Sequence, residues 1–339
     1  MKPSKQLRHR VNKFTREIKI AHKKTLEQIK KTHITTERIH LISQLDLGDI
    51  TSNPFLDKTI QTHIVNNSNH RKQLYIHGKL KITIIDEHAI PNKYFYHILD
   101  WYYFILPYAN KSCTKPLHIT IYLTPFKKLL PSKGQIIGPY NVNSGSTRVC
   151  TASSSNILIW RKEEWFKVLM HESFHYYKLD SFHNAQNAPD MKEMFPIDSD
   201  FLMGEVYSET WATILHTIFY SFYNNANIWH LLQQERTHSV KQTIHILQHM
   251  DLTYNDIITK HSPKYKENTN VFCYYIGKMI CLYHLNQFIL WCSTYTHLTC
   301  NKSLPLFLKK YFNNETLLKE IHTIKRVPYS LKMCHYAIL

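Results

Sequence analysis

The stretch HESFH, residues 171–175, has the residue types and the spacing of a zinc site. On a helix, His171 and His175 lie one turn apart on one face, so both imidazoles can reach the same tetrahedral ion. Glu172 then stands near the open coordination position, where it can take a proton from water and pass it to a leaving amine. The pattern indicates a hydrolytic centre that binds one Zn²⁺ per chain and acts on a peptide or protein.

A complete site needs a third ligand. The pattern HExxHxxGxxH is excluded, because Lys178 and Ser181 occupy the positions of its Gly and last His. Thirty residues after His175, the segment EVYSETWA begins at Glu205, with a small residue at +3, an acid at +4 and a small residue at +7. This segment resembles the second helix of gluzincins, the zincin peptidases whose third zinc ligand is a glutamate.

The resemblance implies a role for each residue of the segment. Glu205 would be the third ligand, and the small residues Ser208 and Ala212 would let two helices approach closely. Glu209, one turn after Glu205, would orient a ligand histidine such as His171. Gluzincins usually have Asp in that place, so Glu209 as the ligand stays an alternative.

Two further features follow from the same resemblance. Gluzincins supply a His or Tyr well downstream to stabilise the oxyanion, and Tyr274 and Tyr275 are the candidates here. The alternative is that both are core aromatics in a chain with 22 tyrosines. The segment Asn141–Gly145 could lie in an edge strand that pairs with an extended substrate.

The segment RKEEWFKVLMHESFHYYKLD, residues 161–180, is also similar to uncharacterised zinc peptidases of large DNA viruses. That similarity implies a place in a virus factory or virion. Two rival functions stay open, because HExxH can arise by chance in a chain with 23 histidines. One is a catalytically inactive zincin-fold structural or virion protein, and the other is a nucleic-acid-associated protein that acts through its basic N-terminus.

The elements that position the motif are predicted by periodicity. A strand at 157–160 precedes a helix over 162–178, with Glu163 and Glu164 in its first turn, and a second helix covers 201–222. Alternation at 73–88 predicts a hairpin that turns near Gly78. Other predictions are a strand at 117–123, helices over 5–31, 92–106, 228–250, 270–296 and 303–325, and a connection over 48–72.

The fold class that results is α+β and zincin-like, with an N-terminal basic helix, a small mixed-sheet lobe and a mainly helical lobe. The predicted boundaries are a basic helical arm at 1–48 and a metallopeptidase domain at 49–339. Within that domain the strand-bearing lobe covers about 70–160 and the helical lobe about 161–339, with the cleft between them.

Charge is concentrated at the N-terminus. The chain has a net charge of +17, and residues 1–31 hold 11 Lys and Arg against Glu17 and Glu27, a net +9. Such a segment suits nucleic acid or an anionic surface, or else forms a solvated helix face. Its apolar residues Leu7, Val11, Phe14, Ile18 and Ala21 form one stripe, which predicts a weak coiled coil or a helix lying on the main body.

Seven cysteines show no CxxC pair, so we expect reduced, mostly buried thiols in an intracellular, cytoplasmic protein. The charged N-terminus lacks the apolar core of a signal peptide. The most apolar run, residues 271–291, is interrupted by Lys278, His284, Asn286 and Gln287. We therefore expect it to be a buried helix rather than a transmembrane segment.

Overall fold

The computed structural model describes residues 2–38, 48–67, 70–76, 79–113, 115–152, 155–184, 189–259, 262–292 and 298–338. These residues form a mixed α+β protein, as predicted. The strands are β1 (Thr35–Arg38), β2 (His70–Ile76), β3 (Leu80–Asp86), β4 (Leu117–Tyr122), β5 (Gly145–Arg148) and β6 (Asn156–Ile159). The helices are α1 (Lys5–Ile29), α2 (Gly48–Thr51), α3 (Lys58–Asn67), α4 (Lys93–Ile105), α5 (Pro139–Val142), α6 (Trp165–Tyr176), α7 (Ser181–Asn184), α8 (Pro189–Met194), α9 (Met203–Asn224), α10 (Ile228–His249), α11 (Tyr254–Thr259), α12 (Lys278–Tyr283), α13 (Leu285–Cys292), α14 (Leu304–Tyr311) and α15 (Glu315–Thr323), with a π-helix at Phe272–Gly277.

The chain divides into two compact units. The first contains residues 1–13, 128–142 and 180–336, and the second contains 14–127, 143–179 and 337–339. The units interleave along the chain rather than following one another. The boundaries inferred from the sequence, near residues 48 and 160, stay a prediction.

The second unit is built on one sheet of six strands in the order β1-β2-β3-β4-β6-β5. The predicted hairpin is confirmed as β2 and β3, which pair antiparallel from His70↔Asp86 to Ile76↔Leu80, although Gly78 itself lies outside the described residues. Strands β3, β4 and β6 run parallel, and β5 returns antiparallel to β6. Strand β5 is therefore an edge of the described sheet, and its first residue, Gly145, ends the segment predicted to hold an edge strand.

The connection predicted over 48–72 is wrong in part, because it contains α2, α3 and the start of β2. The Asp57 side chain caps α3 by accepting a hydrogen bond from the Thr59 amide at 2.7 Å. Helix α3 buries only Ile60 and Ile64. Two apolar positions are too few to establish a helical period, which is why the sequence pattern did not reveal this helix.

Helix α6 begins later than predicted. Glu164 has a left-handed backbone, with φ of 59°, and precedes the helix, so neither Glu163 nor Glu164 lies in its first turn. The buried Arg161, three residues before Glu164, holds the chain that enters this turn. Its guanidinium donates to the carbonyl oxygens of Asn143 and Lys127. The chain needs this tight turn because only five residues separate the end of β6 from α6.

The first unit is mainly helical. Helices α9 and α10 are confirmed within about two residues of their predicted bounds. The helix predicted over 270–296 is instead a π-helix followed by α12 and α13, with a break at His284. Gly277 ends the π-helix against Val206 of α9, where an added Cβ would lie 2.7 Å from a Val206 methyl carbon. Only glycine lets the two backbones come this close.

The N-terminal helix is not a free arm. All five residues of its apolar stripe, from Leu7 to Ala21, are buried, which supports a helix lying on folded protein. Nine of the eleven basic residues in 1–31 remain exposed. Within the described part of the chain, no helix is long and apolar enough to cross a membrane.

One cysteine prediction is wrong. Cys113 and Cys150 form a disulfide, while the other five cysteines are free and buried, as expected. The two partners are 37 residues apart and have no spacing motif, so only the fold brings them together. Both meet the C-terminal end of α6, where the Cys150 amide donates to the Tyr176 carbonyl oxygen at 3.1 Å.

Candidate metal centre

Helix α6 carries HESFH through the interior of the second unit. Eleven of its twelve residues are buried, including the apolar Val168, Leu169 and Phe174 that the sequence placed in a core. Its rotation is fixed by Trp101 of α4, whose indole NH donates to the Ser173 hydroxyl at 2.8 Å. Ser173 donates in turn to the Leu169 carbonyl within the helix. These two hydrogen bonds hold the side chain of Ser173, the middle residue of HESFH.

His171 and His175 turn their rings toward one point. Their Nε2 atoms are 3.0 Å apart, and the ring centroids are 4.7 Å apart. Two nitrogen ligands of a tetrahedral zinc ion, each about 2.0–2.1 Å from it, would be about 3.3 Å apart. The spacing therefore fits a shared ion after a small outward movement of the rings.

Glu172 lies against the edge strand β5. Thr147 donates its hydroxyl to Glu172 Oε2 at 2.5 Å and also approaches the Glu172 carbonyl oxygen at 3.2 Å. At Gly145 an added Cβ would lie 2.8 Å from Glu172 Oε1 and from a Val168 methyl carbon. The glycine thus makes room for the carboxylate, and the threonine orients it. Glu172 is 7% exposed and keeps its second oxygen beside the strand edge.

Helix α9 belongs to the first unit and carries the predicted third ligand in its first turn. A carboxylate there is favoured as an anion by the positive end of the helix dipole. The small residues Ser208 and Ala212 are completely buried, as their predicted role in close helix packing requires. Glu205 itself is partly exposed.

The structure brings together three of the residues singled out from the sequence. One ligand atom each of His171, His175 and Glu205 lies within 4.8 Å of the others. Among the described residues this is the one group of three or more His, Cys, Asp or Glu side chains that could hold a metal ion. Glu209 is outside it, so the geometry favours Glu205 over Glu209 as the third ligand. Two imidazoles and one carboxylate are a donor set that zinc accepts.

Glu209 has a partner that the sequence did not reveal. Its Oε1 lies 3.2 Å from Lys278 Nζ, and both side chains are 1% exposed. Lys278 also donates to the Met333 carbonyl oxygen at 2.9 Å. A buried lysine in an apolar helix needs an acid, so its interruption of the apolar run at 271–291 was the available signal. The predicted orientation of a ligand histidine by Glu209 stays a prediction.

Tyr274 and Tyr275 pack in a hydrophobic cluster of the first unit. Tyr275 is completely buried, and its hydroxyl donates to the Leu331 carbonyl oxygen at 2.7 Å. Asn270 donates its side-chain amide to the Tyr274 hydroxyl at a long 3.4 Å. These contacts favour the core-aromatic alternative, since Tyr275 would have to give up its present bond to serve an oxyanion. The oxyanion role stays a prediction.

Comparisons of the chain with protein-family models, with curated proteins and with solved structures found no match. Support for a function therefore comes from the residues of the site alone.

Proposed function

We propose that the protein is a zinc metallopeptidase of the gluzincin type. The observation that carries the proposal is the grouping of His171, His175 and Glu205 within 4.8 Å, with the intervening Glu172 aligned on an edge strand. Zinc bound by these three residues would lower the pKa of water and polarise a substrate carbonyl.

The protein's own residues would perform the remaining steps. Glu172 would take a proton from the attacking water and return it to the leaving amine. Thr147 holds one oxygen of the carboxylate, so the other oxygen is left for proton transfer. Strand β5 pairs only with β6 in the described sheet, and its other edge could bind an extended peptide backbone.

Zinc content and peptide cleavage, measured on the same samples, test the proposal. We expect one zinc per chain and cleavage of a mixed peptide library. Both should be lost in His171→Ala and in Glu205→Gln, while Glu209→Gln should keep the metal in stoichiometric amount. His230→Ala, which changes an exposed histidine, is the control.

Each outcome has a separate meaning. An unmodified protein without zinc would overturn the proposed metal site. Zinc without cleavage of any peptide would favour the catalytically inactive zincin-fold protein. Loss of zinc in Glu209→Gln, but not in Glu205→Gln, would reverse the choice of third ligand.

A second proposal rests on helix α1. Arg16, Lys19 and Lys23 of α1 and Lys30, the first residue after it, are exposed, while the apolar stripe of the helix is buried. This face could contact nucleic acid or another anionic surface. Deleting residues 1–31 would also remove the buried stripe, so changing these four residues to Gln is the cleaner test. We expect weaker, less salt-dependent binding of double-stranded DNA in a filter assay, and equal binding would remove the proposal.

The expected intracellular location, whether cytoplasm, virus factory or virion, remains a proposal. The reduced cysteines that supported it are now five rather than seven. A disulfide such as Cys113–Cys150 is more common in oxidising compartments.

A further inference from the structure

The first unit contains a cavity of about 660 Å³ that no residue of the candidate metal centre lines. One wall is formed by α10 between Gln233 and Gln242, and the other by the segment from Arg326 to His335. Its volume lies within the range of about 300–1,000 Å³ that is typical of small-molecule sites.

The ionic groups that line this cavity all have the same sign. Lys241, Arg326 and Lys332 contribute three cations, and no Asp or Glu is among the described residues that line it. The buried Glu235 of α10 does not line the cavity, and its carboxylate accepts hydrogen bonds from the backbone amides of His335 and Tyr336. The described ionic side chains that line the cavity are therefore three cations and no anion.

Two of these cations act on the His335 imidazole. Burial, the largest cause, and then the charges of Lys332 and Lys241 lower its pKa below the usual value. Burial by itself disfavours a charge of either sign, so only the two lysines bear on the choice of an anion.

The wall opposite α10 is fixed before any ligand arrives. His238 and Gln242 of α10 both donate to the Lys332 carbonyl oxygen, at 2.8 and 2.6 Å, and Gln242 also donates to the Ser330 carbonyl oxygen at 2.8 Å. A preformed wall lowers the entropy that a ligand must lose on binding.

We propose that this cavity binds a small molecule that carries several phosphate groups. Three cations around one cavity call for several negative charges at short spacing, which a lone carboxylate does not supply. Arginine matches phosphate oxygens with two parallel N–H donors, and lysine adds point charges. The inference goes beyond the proposed peptidase function, whose residues do not line the cavity.

Calorimetric titration of the full chain with inorganic tripolyphosphate tests the proposal. We expect one site per chain, weakened by added NaCl. The double variant Lys241→Gln, Arg326→Gln should weaken binding at least about tenfold, because two charge-assisted contacts are lost. The matched control, Lys325→Gln with Lys264→Gln, removes the same charge from exposed lysines that do not line the cavity and should leave the affinity unchanged.

Four results would overturn the proposal that the cavity binds a molecule with several phosphate groups. The first is no binding by the unmodified chain. The second is equal weakening in the cavity and control variants, which would show attraction to net charge alone. The third is loss of binding after removal of metal with a chelator, which would place the anion on the metal centre. The fourth is tighter, cavity-dependent binding of an oligoglutamate peptide of equal charge, which would identify an acidic peptide as the ligand.

Discussion

Two buried glutamates on two buried helices show how differently the fold treats the same side chain. Glu172 of α6 accepts a hydrogen bond from a neutral hydroxyl of β5, a strand whose other edge pairs with no strand of the described sheet. Glu209 of α9 is held by the cation of Lys278 and is sealed in the interior of its unit. The first arrangement orients a carboxylate without neutralising it, whereas the second compensates its charge.

This difference separates a group suited to proton transfer from one suited to structure. A general base must exchange protons with a reacting group, so it needs access and a partner that does not fix its charge. A buried ion pair gains its stability from a fixed charge on each side, and removing one side leaves the other uncompensated. Substitution of Glu172 should therefore lower activity, whereas breaking the Lys278–Glu209 pair should lower stability.

The largest expected effect is the loss of peptide cleavage when Glu172 is replaced. Glu172→Gln keeps the shape and the Thr147 contact but removes the proton acceptor, so peptide cleavage should fall about 10³-fold. Zinc content and thermal stability should be unchanged. Glu193→Gln, at an exposed glutamate, is the control. Normal cleavage by Glu172→Gln would show that this residue is not the base.

The next largest effect is on stability at the second glutamate. Lys278→Met leaves Glu209 buried without its cation, and we expect a loss of about 3–5 kcal/mol in the free energy of unfolding, measured with urea. The double variant Lys278→Met, Glu209→Leu should recover much of this loss, because it removes both charges. An unchanged single variant would show that the pair carries little of the stability.

Zinc affinity of Glu209→Gln then tests the predicted orienting role of Glu209. Retained affinity would leave Glu209 with its structural role. A loss of about tenfold to a hundredfold, the effect that removal of a ligand's hydrogen-bond partner usually has, would support the contact with His171.

The distance along the chain between interacting residues explains which features could be predicted from the sequence. His171 and His175 were predicted from residue type and helical spacing, and Glu205 from the resemblance of its segment to the second helix of gluzincins. The main strands and long helices followed from apolar periods in the same way. These features depend on neighbours within about one helical turn or one strand.

What the sequence did not reveal depends on distant neighbours. Lys278 is 69 residues from Glu209, and Thr147 is 25 residues from Glu172. The partners Cys113 and Cys150 are 37 residues apart. No local period relates such residues, because only the packing of strands and helices brings them together. Each of these residues supports an element or a side chain and belongs to no motif. Residue type and spacing therefore do not reveal them.

A smaller effect on activity is expected at Gly145, where strand β5 approaches Glu172. Gly145→Ala would place a methyl group 2.8 Å from Glu172 Oε1, so the carboxylate must move. Displacement of a catalytic group by about 1 Å can lower a rate by up to about 10²-fold, and we expect a tenfold to hundredfold loss of kcat. Gly138→Ala is the matched control, because an added methyl group there meets nothing within 4 Å. Equal activity of the two variants would show that the fit at Gly145 is not needed.

The smallest effect should come from the hydrogen bond between Thr147 and Glu172. Thr147→Val removes the hydroxyl but keeps the branched shape, and a hydrogen bond to a carboxylate contributes about 1.5 kcal/mol at the low end, or roughly tenfold in rate. We expect kcat to fall by this factor with KM unchanged, and Thr147→Ser to restore it. A loss as large as that of Glu172→Gln would instead make the threonine part of the chemistry. Because Thr147 is neutral, its removal should leave stability nearly intact, which separates it from Lys278 at the other glutamate.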